Sequence, residues 1–142
     1  MRINNKMRYI FQHIVFIATV ALLSATVTAS PEDPKSERDK NAEQVAKAWV
    51  VSLMQGETAV TTSLSATPFA FDKKQQIKTL SELRVLYEQI VEKKGKRDPK
   101  LTSVKIKTST PERVEVLVTI QGEGMVIAIK PGEAFRVVGF WD

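Results

Sequence analysis

The stretch from Arg113 to Ile120, RVEVLVTI, decides the fold that this sequence predicts. Its side chains alternate, with Val114, Val116 and Val118 on one side of the chain. A period of two is typical of a β-strand that lies with one face against a core. We therefore predict a strand here.

Three further strands flank this stretch. Upstream, lysines alternate with other side chains over 104–108, and downstream the segments 125–129 and 134–141 are largely apolar. The connections between the four strands are short turns, which implies an antiparallel meander. The last two strands are apolar on both faces, a pattern typical of strands that are covered on both sides.

Two amphipathic helices precede these strands. The first is predicted to begin at Asn41, which with Gln44 resembles a capping box, and to end at Gly56. The second is capped by Thr79 or Ser81 and ends in a run of lysines. Helices followed by a contiguous sheet predict an α+β fold. We expect a curved antiparallel sheet of about four to six strands, packed against two or three N-terminal helices.

The segment between the two helices is less regular. Residues 57–67 form either a second, short helix or a loop, since they are rich in Thr, Ser and Ala. Residues 68–72 alternate with Phe69 and Phe71 on one side, and residues 75–78 return as a short strand. This pattern predicts a β-hairpin ahead of the second long helix.

The first 29 residues have the three parts of a secretory signal peptide. A positive start without acidic residues is followed by an apolar segment, 14–23, and then by small residues up to Ser30. We expect cleavage after Ala29 and an exported domain, either periplasmic or secreted. The alternative is an uncleaved membrane anchor, but the apolar segment is much shorter than the ~20 residues that cross a bilayer as a helix.

The segment after the signal, 30–40, reads SPEDPKSERDK and contains two prolines and charges of both signs. Such a composition is typical of a flexible linker. We therefore divide the chain into a signal peptide (1–29), a linker (30–40) and one α+β domain (41–142).

Removal of the signal changes the composition of the remaining chain. Three of the 21 basic residues leave, so 18 basic side chains face 16 acidic ones, and nucleic-acid binding is not expected. The single histidine, His13, leaves as well, and the chain has no cysteine. These losses exclude histidine- or cysteine-based nucleophilic catalysis, imidazole or thiolate metal sites, and disulfides. No cofactor is expected.

Four segments of the domain suggest a known superfamily: Ala48 to Glu57, Leu64 to Phe69, Leu80 to Leu83, and Val137 to Asp142. In this order they resemble the nuclear-transport-factor-like superfamily, which includes SnoaL-like polyketide cyclases and ketosteroid isomerases. The resemblance implies a cone-like α+β domain with an apolar pocket under its curved sheet, often as a dimer. It implies no single activity, because this fold carries enzymes and binding modules alike.

The isomerase-like members of that superfamily use a carboxylate near the first hairpin, with a tyrosine and a second acid facing it. Asp72 is the acid near this hairpin, and its spacing places it in the turn rather than on the strand that faces the pocket. The dehydratase-like members rely on histidines, which this domain lacks. We therefore assign no catalytic residue and no metal ligand.

Four residues are candidates for lining a ligand pocket: Trp49, Phe69, Asp72 and Tyr87. Trp49 and Tyr87 lie on apolar helical stripes, so core packing is the ordinary alternative for both. Asp72 would serve as a general base only if burial raised its pKa, and a solvated turn residue is the alternative.

The basic run at 93–100, KKGKRDPK, holds five cations. Lysines are favourable at the C-terminal end of a helix, so we interpret this run as a solvated helix end. Adhesion to an acidic surface is a weaker alternative.

Two functional hypotheses follow. The first is an exported, non-catalytic domain that binds a small apolar ligand or assembles as a homodimer through its sheet. The alternative is a cofactor-independent lyase, cyclase or isomerase acting on an apolar small molecule, which needs a partly buried acid aimed into the cavity. Membrane contact is expected only through an uncleaved signal.

The homodimer is expected because one chain has too few helices to cover both faces of the sheet. The alternative is a strongly curved sheet whose second face is closed by its own hairpin and N-terminal segment.

Overall fold

The structure is a computed structural model that describes residues 33–142. It contains three helices, α1 (Pro34–Met54), α2 (Thr58–Ser63) and α3 (Leu80–Lys94). The six strands in the same residues are β1 (Ser65–Phe71), β2 (Gln75–Ile77), β3 (Leu101–Ser109), β4 (Val114–Ile120), β5 (Glu123–Lys130) and β6 (Arg136–Trp141). The predicted signal peptide lies outside the described residues.

The six strands form one mixed sheet in the order β2-β1-β6-β5-β4-β3. The hairpin β1–β2 and the antiparallel meander β3 to β6 confirm the predicted pairings. The pairing of β1 with β6 is parallel, with Phe71 opposite Phe140, so the sheet is not antiparallel throughout. The last strand of the chain therefore joins the hairpin to the meander.

Irregular pairing bends this sheet. The register shifts between Ile106 and Thr108 on β3, between Ala128 and Ile129 on β5, and between Ser65 and Ala70 on β1. Bulges of this kind increase local bend and twist. The result is a curved, unclosed sheet against which α1 and α3 pack, which confirms the predicted α+β architecture.

The core lies between the helices and one face of the sheet. Its fully buried large side chains come from α1, α3 and the strands, and include Trp49, Phe69, Leu83, Tyr87, Val116, Ile127 and Val137. Burying a side chain of this kind contributes about 1.5–3 kcal/mol. Since the chain has no cysteine, this packing carries the stability of the domain.

The first helix begins at Pro34 rather than at Asn41, so residues 34–40 are helical and not a linker. Proline suits the first turn of a helix because its φ is already helical and it has no N–H to satisfy. Arg38 Nε donates to Ser109 Oγ at 3.0 Å, and that hydroxyl donates to Asp39 at 2.5 Å. The added turns are thus tied to the end of β3, a contact that local composition does not reveal.

The structure also decides two choices that the sequence leaves open. Residues 57–67 contain both the short helix α2 and the start of β1. The cap of α3 is Thr79, whose side chain accepts a hydrogen bond from the Glu82 N–H at 3.2 Å. The helix ends at Gly95, whose φ of 76° lies in the region that favours glycine.

The outer face of the sheet carries a second apolar cluster of Val126, Ala128 and Trp141, with Leu117 and Val138 beside it. Two cations flank the Trp141 ring: Lys73 Nζ lies 5.0 Å and the Arg113 guanidinium carbon 5.5 Å from its centroid. The chain's own side chains thus cover part of this face, and a second copy on it stays a prediction. No helix among residues 33–142 is long and apolar enough to cross a membrane.

Candidate functional site

A cavity of about 280 Å³ opens between the C-terminal ends of α1 and α3 and the neighbouring ends of four strands. This volume lies near the lower end of the range of ligand pockets, which begins at about 300 Å³. Most of its wall is apolar, and the residues that form it include Leu53, Met54, Ile90, Ile120, Met125 and Phe140. We call it the open-end cavity.

Aromatic rings form part of the wall of the open-end cavity. The Phe140 ring lies 5.1 Å from the Trp49 ring and 5.1 Å from the Phe71 ring, measured between centroids. Trp49 itself is fully buried, so only the inner end of the cavity reaches it. The three rings give the cavity a rigid apolar wall, because each ring is held by its neighbours.

Of the four predicted lining residues, Trp49 and Asp72 line the cavity, whereas Phe69 and Tyr87 do not. Both of the latter are fully buried in the core, and their rings meet edge to face at 6.0 Å. Phe69 lies on the apolar side of β1 and Tyr87 on the apolar side of α3. Their rings pack against each other in the core, so neither ring is left to line the cavity.

The Tyr87 hydroxyl takes part in a buried hydrogen-bonded cluster. It lies 2.8 Å from Ser65 Oγ and 3.3 Å from Trp49 Nε1, and Trp49 Nε1 also donates to Ser65 Oγ at 3.1 Å. Burial raises the pKa of Tyr87 well above its ordinary value, while the hydrogen bonds with Ser65 and Trp49 act in the opposite direction. Tyr87 therefore keeps its proton and serves the packing of the core.

The cluster continues into α2. Ser65 Oγ donates to the Thr61 carbonyl at 2.7 Å, and the Thr61 hydroxyl lies 2.7 Å from Ser52 Oγ on α1. Across residues 33–142, every buried side-chain nitrogen or oxygen has a hydrogen-bond partner. This pattern indicates a structural role, since a satisfied buried network fixes how the elements pack.

Asp72 lies in the turn between β1 and β2, as its spacing predicts, and it is exposed. Its φ is 53°, a conformation that aspartate tolerates better than most residues, and its N–H donates to the Phe140 carbonyl at 3.0 Å. The side chain reaches the mouth of the cavity. The burial that a general base would need is not present at this position.

The sequence did not indicate that the basic run lines the cavity. Lys93, Lys94 and Arg97 all belong to its wall, although all three are exposed. The Arg97 N–H donates to the Met54 carbonyl at 2.8 Å, which ties the loop after α3 to the end of α1. A long-range contact of this kind has no signal in the local sequence.

A second contact joins the same loop to the end of α1. The Lys96 side chain crosses Gly56 so closely that a Cβ there would lie 2.8 Å from Lys96 Cε. Gly56 also has a φ of 78°, and this conformation is what favours glycine there, because the Lys96 side chain is flexible and could move aside. The basic run is exposed, as expected of a solvated helix end. The loop that contains it nevertheless has a defined position at the cavity mouth.

Across residues 33–142, no group of three or more His, Cys, Asp or Glu side chains is close enough to hold a metal ion. The acids that line the cavity are Asp72 and Asp142, which stand on the sheet side of the mouth. The cavity thus offers an apolar wall, three cations on the helix side and two carboxylates on the sheet side.

Comparison with models of known protein families found no match, and comparison with curated protein sequences found none either. Solved structures do match. One is a protein provisionally named as a dehydratase of the NTF2-like family from Streptomyces avermitilis, with a TM-score of 0.52 and 13% identity over 77% of this chain and 96% of that one.

Two further matches are proteins of unknown function. A protein with a cystatin-like fold from Nostoc punctiforme has a TM-score of 0.51 and 11% identity over 71% of this chain and 86% of that one. An NTF2-like protein from Pseudomonas putida has a TM-score of 0.51 and 9% identity over 75% of this chain and 85% of that one.

The chain therefore has the NTF2-like, cystatin-like α+β fold, as the resemblance noted in the sequence implied. In residues 33–142 this fold consists of three helices and a curved, unclosed sheet of six strands. Identities of this size establish the fold and leave the activity to be argued from the site.

Proposed function

We propose that the domain is a non-catalytic binding module that holds a small apolar ligand in the open-end cavity. The observation that carries this proposal is the continuous apolar wall around Phe71, Phe140 and Met125, open at one end to solvent. An apolar molecule that enters such a cleft leaves water and displaces water from the wall, and both changes favour binding.

The positions of the polar groups support binding rather than catalysis. The two acids of the cavity wall, Asp72 and Asp142, are exposed, so neither has the desolvated surroundings that tune a catalytic carboxyl group. The Tyr87 hydroxyl is engaged with Ser65 and Trp49 in the core. These positions suit a site in which contacts with the apolar wall contribute most of the free energy of binding.

Filling the cavity tests this proposal. Met125→Trp places a large ring in the cavity wall, so we expect the purified variant to lose most of its binding of the neutral apolar dye Nile red, measured by fluorescence titration. Val85→Trp is the matched control, because Val85 is 51% exposed and outside the cavity wall. Equal dye binding by the wild type and a folded Met125→Trp variant would contradict the proposal.

The second candidate function is a cofactor-independent lyase, cyclase or isomerase acting on an apolar small molecule. Asp72 at the cavity mouth supports it, as does the provisional name of the Streptomyces avermitilis protein. Asp72→Asn distinguishes the two functions. The binding proposal expects unchanged Nile red affinity and unchanged thermal stability, whereas loss of binding or turnover in a folded variant would favour the enzyme.

We further propose that the domain acts outside the cytoplasm. The positive start, the apolar segment 14–23 and the small residues up to Ala29 support export. Mass spectrometry of the protein isolated from cell fractions tests this proposal. The expected species begins at Ser30 and lies outside the cytoplasm, and an uncut chain confined to the cytoplasm would refute it.

A further inference from the structure

The open-end cavity has charged groups at the mouth of an apolar chamber, and these groups are not evenly arranged. Lys93, Lys94 and Arg97 stand on the helix side, at the end of α3 and in the loop that follows it. Asp72 and Asp142 stand on the sheet side, after β1 and after β6. A ligand that enters the chamber therefore passes between a cationic side and an acidic side.

The three cations are available to a ligand. Within residues 33–142, none of the three forms an ion pair, unlike Arg84, which pairs with Glu88, and Arg113, which pairs with Glu115. Their backbone is nevertheless held in place, through the Arg97 N–H on the Met54 carbonyl. An ordered backbone with unpaired charged ends is a favourable start for binding an anion, because less order has to be created on binding.

The length of the cationic side chains at the mouth favours an anionic ligand over a cationic one. Lysine and arginine carry their charge on long flexible stems and can follow a ligand head, and arginine can bind a carboxylate through two hydrogen bonds. The two aspartates hold their charges close to the backbone of the sheet.

We propose that the natural ligand is an amphiphile with a single anionic group, whose apolar part lies in the open-end cavity and whose anionic group is bound by Lys94 and Arg97. This inference rests on the proposed ligand-binding function. It adds the chemical class of the ligand and its orientation, with the anionic end outward at the helix side of the mouth.

Three molecules of equal chain length test the inference: decanoate, decan-1-ol and decylamine. Their affinities are measured by displacement of Nile red from the purified protein at low ionic strength. We expect decanoate to bind about three- to tenfold more tightly than decan-1-ol, as two partly solvated ion pairs allow. Added salt should reduce that preference, because it screens exposed charges.

Two matched variants test which cations cause the preference for decanoate. Lys94→Gln/Arg97→Gln leaves Lys93 as the one cation of the cavity wall, so it should lose most of the preference for decanoate, with the affinity for decan-1-ol unchanged. Lys105→Gln/Lys107→Gln removes the same amount of charge from exposed positions of β3, outside the cavity wall, and should keep the preference for decanoate. Thermal unfolding of both variants shows that they are folded.

The outcomes separate this inference from the proposed function. Equal binding of all three molecules by the wild type, or a preference for decylamine, overturns the anionic ligand and leaves apolar binding intact. Loss of the preference in the β3 control as well as in the mouth variant also overturns it. If none of the three molecules displaces Nile red, the proposed function itself fails.

Discussion

The indole N–H of Trp49 lies 3.3 Å from the Tyr87 hydroxyl, and the two rings meet at 80° with their centroids 5.7 Å apart. Trp49 belongs to α1 and Tyr87 to α3, so this contact joins the two long helices inside the core. Ser65 of β1 bonds to both groups and ties the pair to the sheet.

Removal of the Ser65 hydroxyl should destabilise the domain. Ser65→Ala leaves the Trp49 N–H with the longer contact to Tyr87 and leaves the Thr61 carbonyl without its donor. We expect a loss of about 1–3 kcal/mol in the free energy of unfolding, measured with urea. Ser63→Ala, at an exposed position of α2, is the control and should change stability little. Similar losses in both variants would show that the buried hydrogen-bonded cluster contributes no more to stability than an exposed hydroxyl does.

Tyr87 should make the domain sensitive to alkaline pH. Burial raises its pKa in the folded state above the value of about 10 for an unfolded tyrosine. Its contribution to stability is therefore complete below about pH 10 and is lost as the pH rises above that value, because the unfolded chain then releases a proton that the folded chain keeps.

The variant Tyr87→Phe lacks this titration and serves as the reference. Urea unfolding above pH 10 should show a steeper fall in the wild type, by up to about 1.4 kcal/mol for each pH unit. Tyr87 is the one tyrosine in residues 33–142, so no other phenol of the domain contributes to the difference. Parallel curves for the two proteins would contradict the prediction.

Gly139 should be required for the parallel pairing of β1 with β6. A Cβ at this position would lie 2.9 Å from the Ala70 carbonyl oxygen and 3.5 Å from the Trp141 ring. Gly139→Ala should therefore lower the free energy of unfolding by about 1–3 kcal/mol. Gly124→Ala is the control, since the nearest atom there belongs to Leu117 at an ordinary 3.5 Å. Equal stability of the two variants would argue against the close approach of Gly139 to the Ala70 carbonyl.

The homodimer through the outer sheet face is tested by light scattering of the purified protein. We expect twice the mass of one chain, and we expect Leu117→Glu to give the mass of a single chain, because a charge in an apolar interface stays unpaired. Thr102→Glu, at an exposed position of β3, is the control and should remain dimeric. A single-chain mass for the wild type would favour the alternative, in which the chain's own residues cover this face.

Local pattern was enough to predict the meander, the hairpin and both long helices. The alternating valines of β4 and the stripe that holds Leu83 on α3 signal their structure within a few residues. The start of α1 was missed because residues 34–40 have no apolar stripe, and their contact with Ser109 spans 70 residues of the chain. The parallel pairing of β1 with β6 was missed for the same reason, since it joins segments far apart in sequence.

The candidate site was predictable only in part. Trp49 and Asp72, which a helical stripe and the spacing of a turn indicated, are among the residues that line the cavity. Phe69 and Tyr87 were not separable from lining residues, because an apolar stripe does not tell which members face a cavity and which face one another. The role of Lys94 and Arg97 depends on where α3 ends in space, which is a property of the complete fold.

The central place of β6 has a consequence for biosynthesis. This strand is the last of the six in chain order, yet it lies between β1 and β5 and contributes to both halves of the sheet. A nascent chain cannot complete the sheet until β6 has emerged from the ribosome, so the sheet closes only after its five other strands have been made. A premature stop before Arg136 would leave two exposed strand edges and yield material prone to aggregation.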